Sequence, residues 1–213
     1  GRKNRVDVTE EDRLPEKFLN HYAETKYLAE KEIDEAHRQG LPVITIRPRA
    51  IFGPGDTSII PRLIKANQQK FVPLVNGGKI AIDLTYVENV VDALLLCMDS
   101  EEKTLGEKYN ISNGEETILA DVLQKLFSEL DMPFHYRKLP YSLVYSAAFF
   151  MEKIARMKRS KEEPLLTRYS VTVLSKEQTV NIDKARKELN YHPRISVEEG
   201  IKIFSKWWAK TYD

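Results

Sequence analysis

The sequence predicts an α/β protein in which helices cover a parallel sheet, followed by a smaller, mainly helical α+β part. Three observations lead there. From Asn20 to Gln39 apolar residues recur at helical period, with Tyr22, Leu28, Ala29, Ile33 and Ala36 near one side and Gly40 closing the helix. Pro42 then leads into Val43-Ile-Thr-Ile46, a continuous β-branched run of the kind buried on both faces of a parallel sheet. Beyond Asn113 the character changes to amphipathic helices and short extended pieces, starting with Thr117 to Leu130 and its stripe of Ile118, Leu119, Val122, Leu126 and Leu130.

The elements follow in order. Gly1 to Leu19 is polar and charged and reads as a surface loop leading to Asn20, a helix N-cap. After the buried strand, Arg47-Pro-Arg-Ala-Ile-Phe-Gly-Pro-Gly-Asp56 leaves its carboxyl end, where ligands of open α/β sheets bind. Ser58 caps a helix through Ile60 to Ala66, with Pro61 tolerated in its first turn. Phe71 to Val75 and Lys79 to Val87 read as extended around an Asn76-Gly77-Gly78 turn, and Glu88 to Met98 is an apolar helix. Lys108 to Ser112 is a further strand, ended by Asn113-Gly114. In the second part, Met132 to Arg137 is a short strand and Leu143 to Ile154 a mostly apolar helix, followed by the basic Arg156-Met-Lys-Arg159. The tail holds Pro164 to Leu174, an extended Val180-Asn-Ile182, a helix from Asp183 to Leu189 and a last helix from Ser196 through Trp208.

Composition narrows the function classes. The 213 residues are 42% apolar, enough for a sizeable core. Lys plus Arg number 33 against 32 Asp plus Glu, so a net charge of +1 gives no reason to expect nucleic acid as a partner. The single Cys97 cannot form an internal disulfide and reads as a buried structural thiol, from which a cytoplasmic setting is expected. No signal peptide is recognised, and no apolar run reaches the roughly 18 to 20 residues that cross a bilayer. Histidines 21, 37, 135 and 192 lack metal-ligand spacing, so no metal site is expected.

The stretch richest in chemistry is Tyr22-Ala-Glu-Thr-Lys26. Residues four apart share a helix face, so a phenol stands one turn from an ammonium. A phenol is a poor acid-base group near neutral pH unless a fixed positive charge favours its ionised form, and such a pair can exchange a proton with an alcohol or carbonyl oxygen. With ten tyrosines, spacing alone has little specificity: Tyr27 and Lys31 repeat it, and a solvated helix face is the competing reading.

Context separates the two pairs. Tyr22-Ala-Glu-Thr-Lys26-Tyr-Leu-Ala-Glu30, Val43-Ile-Thr-Ile-Arg47-Pro48, Phe52-Gly-Pro-Gly-Asp56 and Asp83-Leu-Thr-Tyr-Val-Glu-Asn-Val-Val-Asp-Ala93 occur in the order found in extended short-chain dehydrogenase/reductases, which this chain resembles over nearly its whole length. The resemblance places Tyr22 and Lys26 on that family's catalytic pair. It implies hydride exchange between a nicotinamide, NAD or NADP, and a secondary alcohol or ketone, with Tyr22 as acid or base and Lys26 also bonding the nicotinamide ribose. It further implies that Pro48, Arg49, Ala50 and Ile51 touch the nicotinamide ring. Phe52, Tyr86, Tyr145 and Phe149 are the expected substrate contacts.

The only Gly-x-Gly, Gly53-Pro-Gly55, lacks a third glycine and reads as a turn. The expectation is therefore a C-terminal portion: the second half of a Rossmann-like parallel sheet plus a small, mainly helical α+β substrate domain, with the cofactor-binding half largely absent. Residues 1–112 are assigned to the dinucleotide domain, with 58–79 crossing to the substrate side, and 113–213 to the substrate domain.

The 3β-hydroxysteroid dehydrogenase-like branch, acting on hydroxysteroid or 3-oxo acid substrates, fits best. Ala50, Phe52 and Ile82 replace residues usual in nucleotide-sugar enzymes, Ile82 standing where an Arg commonly grips the diphosphate. Tyr141 to Phe150 reads as a pocket wall, an ordinary core helix or an interfacial helix. The alternatives are a nucleotide-sugar epimerase or dehydratase, and a non-catalytic fragment unable to bind cofactor. The expected partner is a small-molecule substrate, with no nucleic acid and no transmembrane segment, and the resemblance suggests a homodimer through the Tyr22–Lys26 helix.

Overall fold

A computed structural model describes residues 4–13, 18, 21–158, 164 and 166–212; the expected cap Asn20 and the basic Arg159 lie outside them. The chain opens with strand β1 (Arg5–Val8) and helix α1 (His21–Arg38). Gly40, at φ 101°, ends α1 as read: its N–H donates to His37 O at 2.9 Å and Leu41 N–H to Ala36 O at 3.0 Å, the paired bonds of a Schellman close. Strand β2 (Thr45–Pro48) follows, then β3 (Ile51–Phe52) and α2 (Ile60–Gln69). Asp56, not Ser58, caps α2. Its carboxylate accepts from the N–H groups of Ser58, Ile59 and Ile60 at 2.7, 3.1 and 2.9 Å.

Strand β4 (Val72–Val75) leads through a 3₁₀ turn to β5 (Ala81–Ile82), β6 (Thr85–Tyr86), α3 (Val87–Met98) and β7 (Lys108–Ile111). The second part runs β8 (Thr117–Ile118), α4 (Leu119–Glu129), β9 (Tyr136–Leu139), α5 (Tyr141–Met157), α6 (Arg168–Val173), β10 (Gln178–Val180), α7 (Asp183–Leu189) and α8 (Val197–Tyr212).

These strands correct the expectation of one half-sheet. They form an α/β, Rossmann-type arrangement spread over four sheets: β1-β10-β5-β8, β2-β7, β3-β6 and β4-β9, parallel at every pair except β5-β8. The leading segment, read as loop, supplies β1, which pairs with β10 through Arg5↔Gln178 and Val8↔Val180. Strand β9 likewise pairs in register with β4, from Val72↔Tyr136 to Val75↔Leu139.

The largest core draws on both sides of Asn113. Phe52, Ile64, Tyr86, Phe127, Ile201 and Phe204 meet in it, with the Phe52 and Tyr86 rings edge to face at 5.6 Å. Gly200 of α8 lets these rings approach: a Cβ there would stand 2.6 Å from Tyr86 Cδ2 and 2.9 Å from Phe52 Cζ. Gly200→Ala is therefore expected to destabilise the protein by about 1–3 kcal/mol through overpacking, read as a lower urea midpoint at unchanged slope. An unchanged midpoint would show that α8 gives way freely.

Candidate active site

Two half-buried ion pairs seat α1 on the sheet. Arg47 of β2 donates to Glu30 at 2.6 Å through Nη2 and 3.0 Å through Nε, and Lys108 of β7 reaches Asp34 at 2.7 Å. Lys108 stands opposite Thr45, so moving back four residues along α1 matches moving forward two along β2. The two steps are alike, about 6 Å of helix against about 6.6 Å of strand. The helix therefore runs antiparallel to β2. Lys26 and Tyr22 lie one and two turns nearer the helix start than Glu30, on the side toward the carboxyl end of β2.

Tyr22 is 63% exposed and Lys26 is exposed. Among the described residues neither the phenol oxygen of Tyr22 nor the ammonium of Lys26 has a hydrogen-bond partner. A phenol and an ammonium one helical turn apart are of the chemistry that the hydroxyl-rich nicotinamide end of a dinucleotide takes. The Gly53–Gly55 loop does not fit the pyrophosphate, because the Asp56 carboxylate already takes the N–H groups at the start of α2.

The loop after β2 is tightly held. Buried Thr85 Oγ1 accepts the Arg49 N–H at 3.2 Å and donates to the Arg49 carbonyl, while Arg49 N–H also reaches Ile111 O at 2.9 Å. Ala50 adopts φ 38°, a conformation that costs a residue with a Cβ and persists here under those bonds. Ile51 is exposed, whereas Phe52 and Tyr86 lie in the core against each other.

Sequence reading did not anticipate a second cluster beside this loop. The Arg49 guanidinium donates from Nη2 to Gln178 Oε1 in β10, and Gln178 Nε2 reaches Val173 O, the last residue of α6, at 3.5 Å. Burial lowers the Arg49 pKa from its ordinary value, while Tyr169 and Asp83 favour its charged form. Burial pushes the Tyr169 phenol up, with Arg49 pulling it down and Tyr22 pushing it further up. Tyr169 thus lies within electrostatic reach of both Arg49 and Tyr22. Asp83 is buried and raised above the usual carboxylate range by that burial, against the Val180 N–H that donates to it at 2.6 Å.

Tyr145 and Phe149 stand on α5, packed against α6 through buried Val144, Ala148 and Val171. Arg168, next to Tyr169, lies 5.3 Å over the Phe149 ring and pairs with Glu152 at 2.7 Å. A separate cleft of about 430 Å³, lined by Leu74, Lys79, Ile118, Phe134 and Lys138, contains none of these groups. Among the described residues no group of three His, Cys, Asp or Glu could hold a metal, and no helix is long and apolar enough to cross a membrane.

The chain is 36% identical over 203 residues to the uncharacterized protein YbjS of Escherichia coli K12, covering 92% of this chain and 59% of that protein. It is 30% identical to a 2-alkyl-3-oxoalkanoate reductase of Stenotrophomonas maltophilia, covering 90% and 59%, and 31% identical to the decarboxylating sterol-4-alpha-carboxylate 3-dehydrogenase erg26 of Schizosaccharomyces pombe, covering 95% and 61%. The chain thus spans about three fifths of these relatives' length.

Among solved structures, gox2253 superposes with a TM-score of 0.72 at 25% identity, over 97% of this chain and 62% of that one. UDP-glucuronic acid 4-epimerase of Bacillus cereus in complex with NAD superposes at 0.71 and 19%, over 99% and 58%. These coverages correct two expectations. Nearly every residue has its counterpart in the family fold, so the chain is not described by a C-terminal portion alone. Nearly all of it also aligns with a protein solved holding NAD, which overturns the expectation that the cofactor-binding region is largely absent. The fold is that of NAD(P)-dependent dehydrogenases and reductases. Residues 1–112 match the NAD dependent epimerase/dehydratase family, and the chain belongs to it.

Proposed function

We propose that the protein is an NAD(P)-dependent oxidoreductase acting on a secondary alcohol or ketone of a lipid-like substrate, a 3-oxo acid or hydroxysteroid. The observation that carries this reading is the Tyr22–Lys26 pair, without side-chain hydrogen-bond partners among the described residues, on a helix held to β2 and β7 by two ion pairs. A bound nicotinamide supplies or accepts the hydride. Tyr22 holds the proton at the substrate oxygen, giving it in reduction and taking it in oxidation. Lys26 orients the ribose and keeps positive charge beside the phenol. Pro48, Arg49, Ala50 and Ile51 present backbone to the ring, and Tyr145 and Phe149 offer apolar surface to the substrate, with Phe52 and Tyr86 packed beneath.

Two observations support the lipid-like class. The relatives at 30% and 31% identity are named for a 3-oxoalkanoate and a sterol carboxylate. Ile82 pairs with Gln178 in the sheet and packs on the core, offering a diphosphate no guanidinium. A nucleotide-sugar epimerase or dehydratase is the second reading, favoured by the fold shared with the UDP-glucuronic acid 4-epimerase.

The test is titration of the purified protein with NADH and NADPH by fluorescence, followed by incubation with NAD+ or NADP+ as hydride acceptor and 3-hydroxydecanoate, a 3β-hydroxysteroid or UDP-glucuronic acid as substrate. Saturable binding with turnover of a lipid substrate is expected. Turnover of the sugar nucleotide alone would move the assignment to the second reading, and absence of cofactor binding would remove the enzyme reading.

A further inference from the structure

The arginines near the site differ in one respect. Arg47 pairs with Glu30 and Arg168 with Glu152, at 2.6 and 2.7 Å, and Arg5, opposite Gln178 in the sheet, donates to the Arg13 carbonyl. Arg49 is also partly buried, yet among the described residues no carboxylate stands within ion-pair distance of it. The nearby Asp83 carboxylate receives the Val180 N–H instead. A guanidinium carries five N–H donors, and among the described residues the only side-chain hydrogen bond of Arg49 is the one to Gln178. A partly buried cation with most of its donors unused is costly unless an anion completes it.

Its position is specific. Arg49 follows the last residue of β2, its guanidinium reaches Gln178 of β10, which bonds the Val173 carbonyl at the end of α6, and Tyr169 of α6 lies within electrostatic reach of both Arg49 and Tyr22. Its backbone is fixed by Thr85 and Ile111, so the donor fork is held ready. In a 3-oxo or 3-hydroxy acid the carboxylate lies two carbons from the reacting carbon. The groups recognising carboxylate and carbonyl must then be neighbours. A planar guanidinium fork suits a carboxylate because two parallel N–H donors meet two oxygens.

We infer that Arg49 is the residue that recognises the substrate carboxylate, holding it while Tyr22 meets the oxygen two carbons away. This rests on the oxidoreductase reading and adds a chemical class to it: the preferred substrate is the free acid, not its ester or the plain alcohol. Gln178 is the positioning residue for Arg49.

The test compares kcat/KM for 3-hydroxydecanoate and methyl 3-hydroxydecanoate, so that any general loss of activity cancels in the ratio. The wild-type protein is expected to favour the acid by about 10–100-fold, the range of a charge-assisted pair. Arg49→Met is expected to bring the ratio to within about threefold of one, and Arg49→Lys to keep an intermediate preference, since an ammonium retains charge without the fork. A measurement on the wild type alone covers failure of the variants to fold: decanoate is expected to inhibit at least about tenfold more tightly than decanol. Equal ratios in wild type and Arg49→Met, or equal inhibition by the two ten-carbon compounds, would overturn the inference while leaving the oxidoreductase reading intact. A wild-type protein that oxidises neither acid nor ester overturns both.

Discussion

Tyr22→Phe is expected to lower kcat for a lipid alcohol by about 10²–10⁴-fold, the usual worth of a positioned general acid or base. The change removes one oxygen from a side chain that buries little, so stability and cofactor affinity should hardly move. That separation makes the result informative. Because α1 is seated through Glu30 and Asp34, two and three turns further along, the helix should stay in place in the variant. Rates at saturating cofactor, measured beside the urea midpoint, check both halves of the expectation. A variant retaining more than about a tenth of kcat would remove Tyr22 from proton transfer. The neighbouring Tyr27→Phe is the control, since Tyr27 lies beneath the Lys31 ammonium at 5.1 Å and is assigned no step.

The second large effect concerns stability. Asn89 is 0% exposed and sits at the centre of a polar node. Its Nδ2 donates to Asn113 Oδ1 and to Ile195 O, both at 2.8 Å, and its Oδ1 accepts the N–H groups of Arg194 and Ile195 at 3.1 Å. Asn113 in turn accepts the Tyr86 N–H at 3.0 Å and donates to Ile195 O at 2.8 Å. Asn89→Ala leaves two backbone donors without their acceptor and empties space beside α3. Each stranded buried group costs about 1–3 kcal/mol, and neighbours in one network do not add simply, so a total of about 3–5 kcal/mol is expected. Asn89→Asp should be nearly as damaging, because a carboxylate cannot donate to Asn113 and its charge would be buried. Urea unfolding followed by circular dichroism measures both, and a loss below about 1 kcal/mol in Asn89→Ala would show that the node is replaceable.

What could be read beforehand divides along a physical line. Helix α1, its Gly40 close and strand β2 were legible because period, cap and β-branched run agree locally. Strand β1 was not: Arg5-Val-Asp-Val8 has two charges in four residues and is a strand because it pairs with Gln178 to Val180, far along the chain. Helix α6 was missed for the opposite reason. Its Arg168-Tyr-Ser-Val-Thr-Val173 is poor in helix formers, and a Thr167–Ser170 capping box together with packing on α5 imposes the helix.

The site divides likewise. The Tyr22–Lys26 spacing lies within five residues, so sequence displays it. Arg49 and Gln178 stand 129 residues apart and meet through the sheet order, a property that local pattern does not encode. Phe52 and Tyr86 were legible as aromatic residues near the right strand ends, but not as partners in the core, since that depends on Gly200 of a helix at the far end of the sequence.

The seating of α1 has a dynamic side. None of the helix's residues is fully buried, so little oil-like contact retains it, and two charge pairs at its middle carry much of the load. Half-buried as they are, these pairs are screened by mobile ions less than exposed ones, yet not wholly shielded. The phenol proposed to move the proton therefore rides on an element held by charge more than by buried apolar surface, and such elements are among the first to open locally.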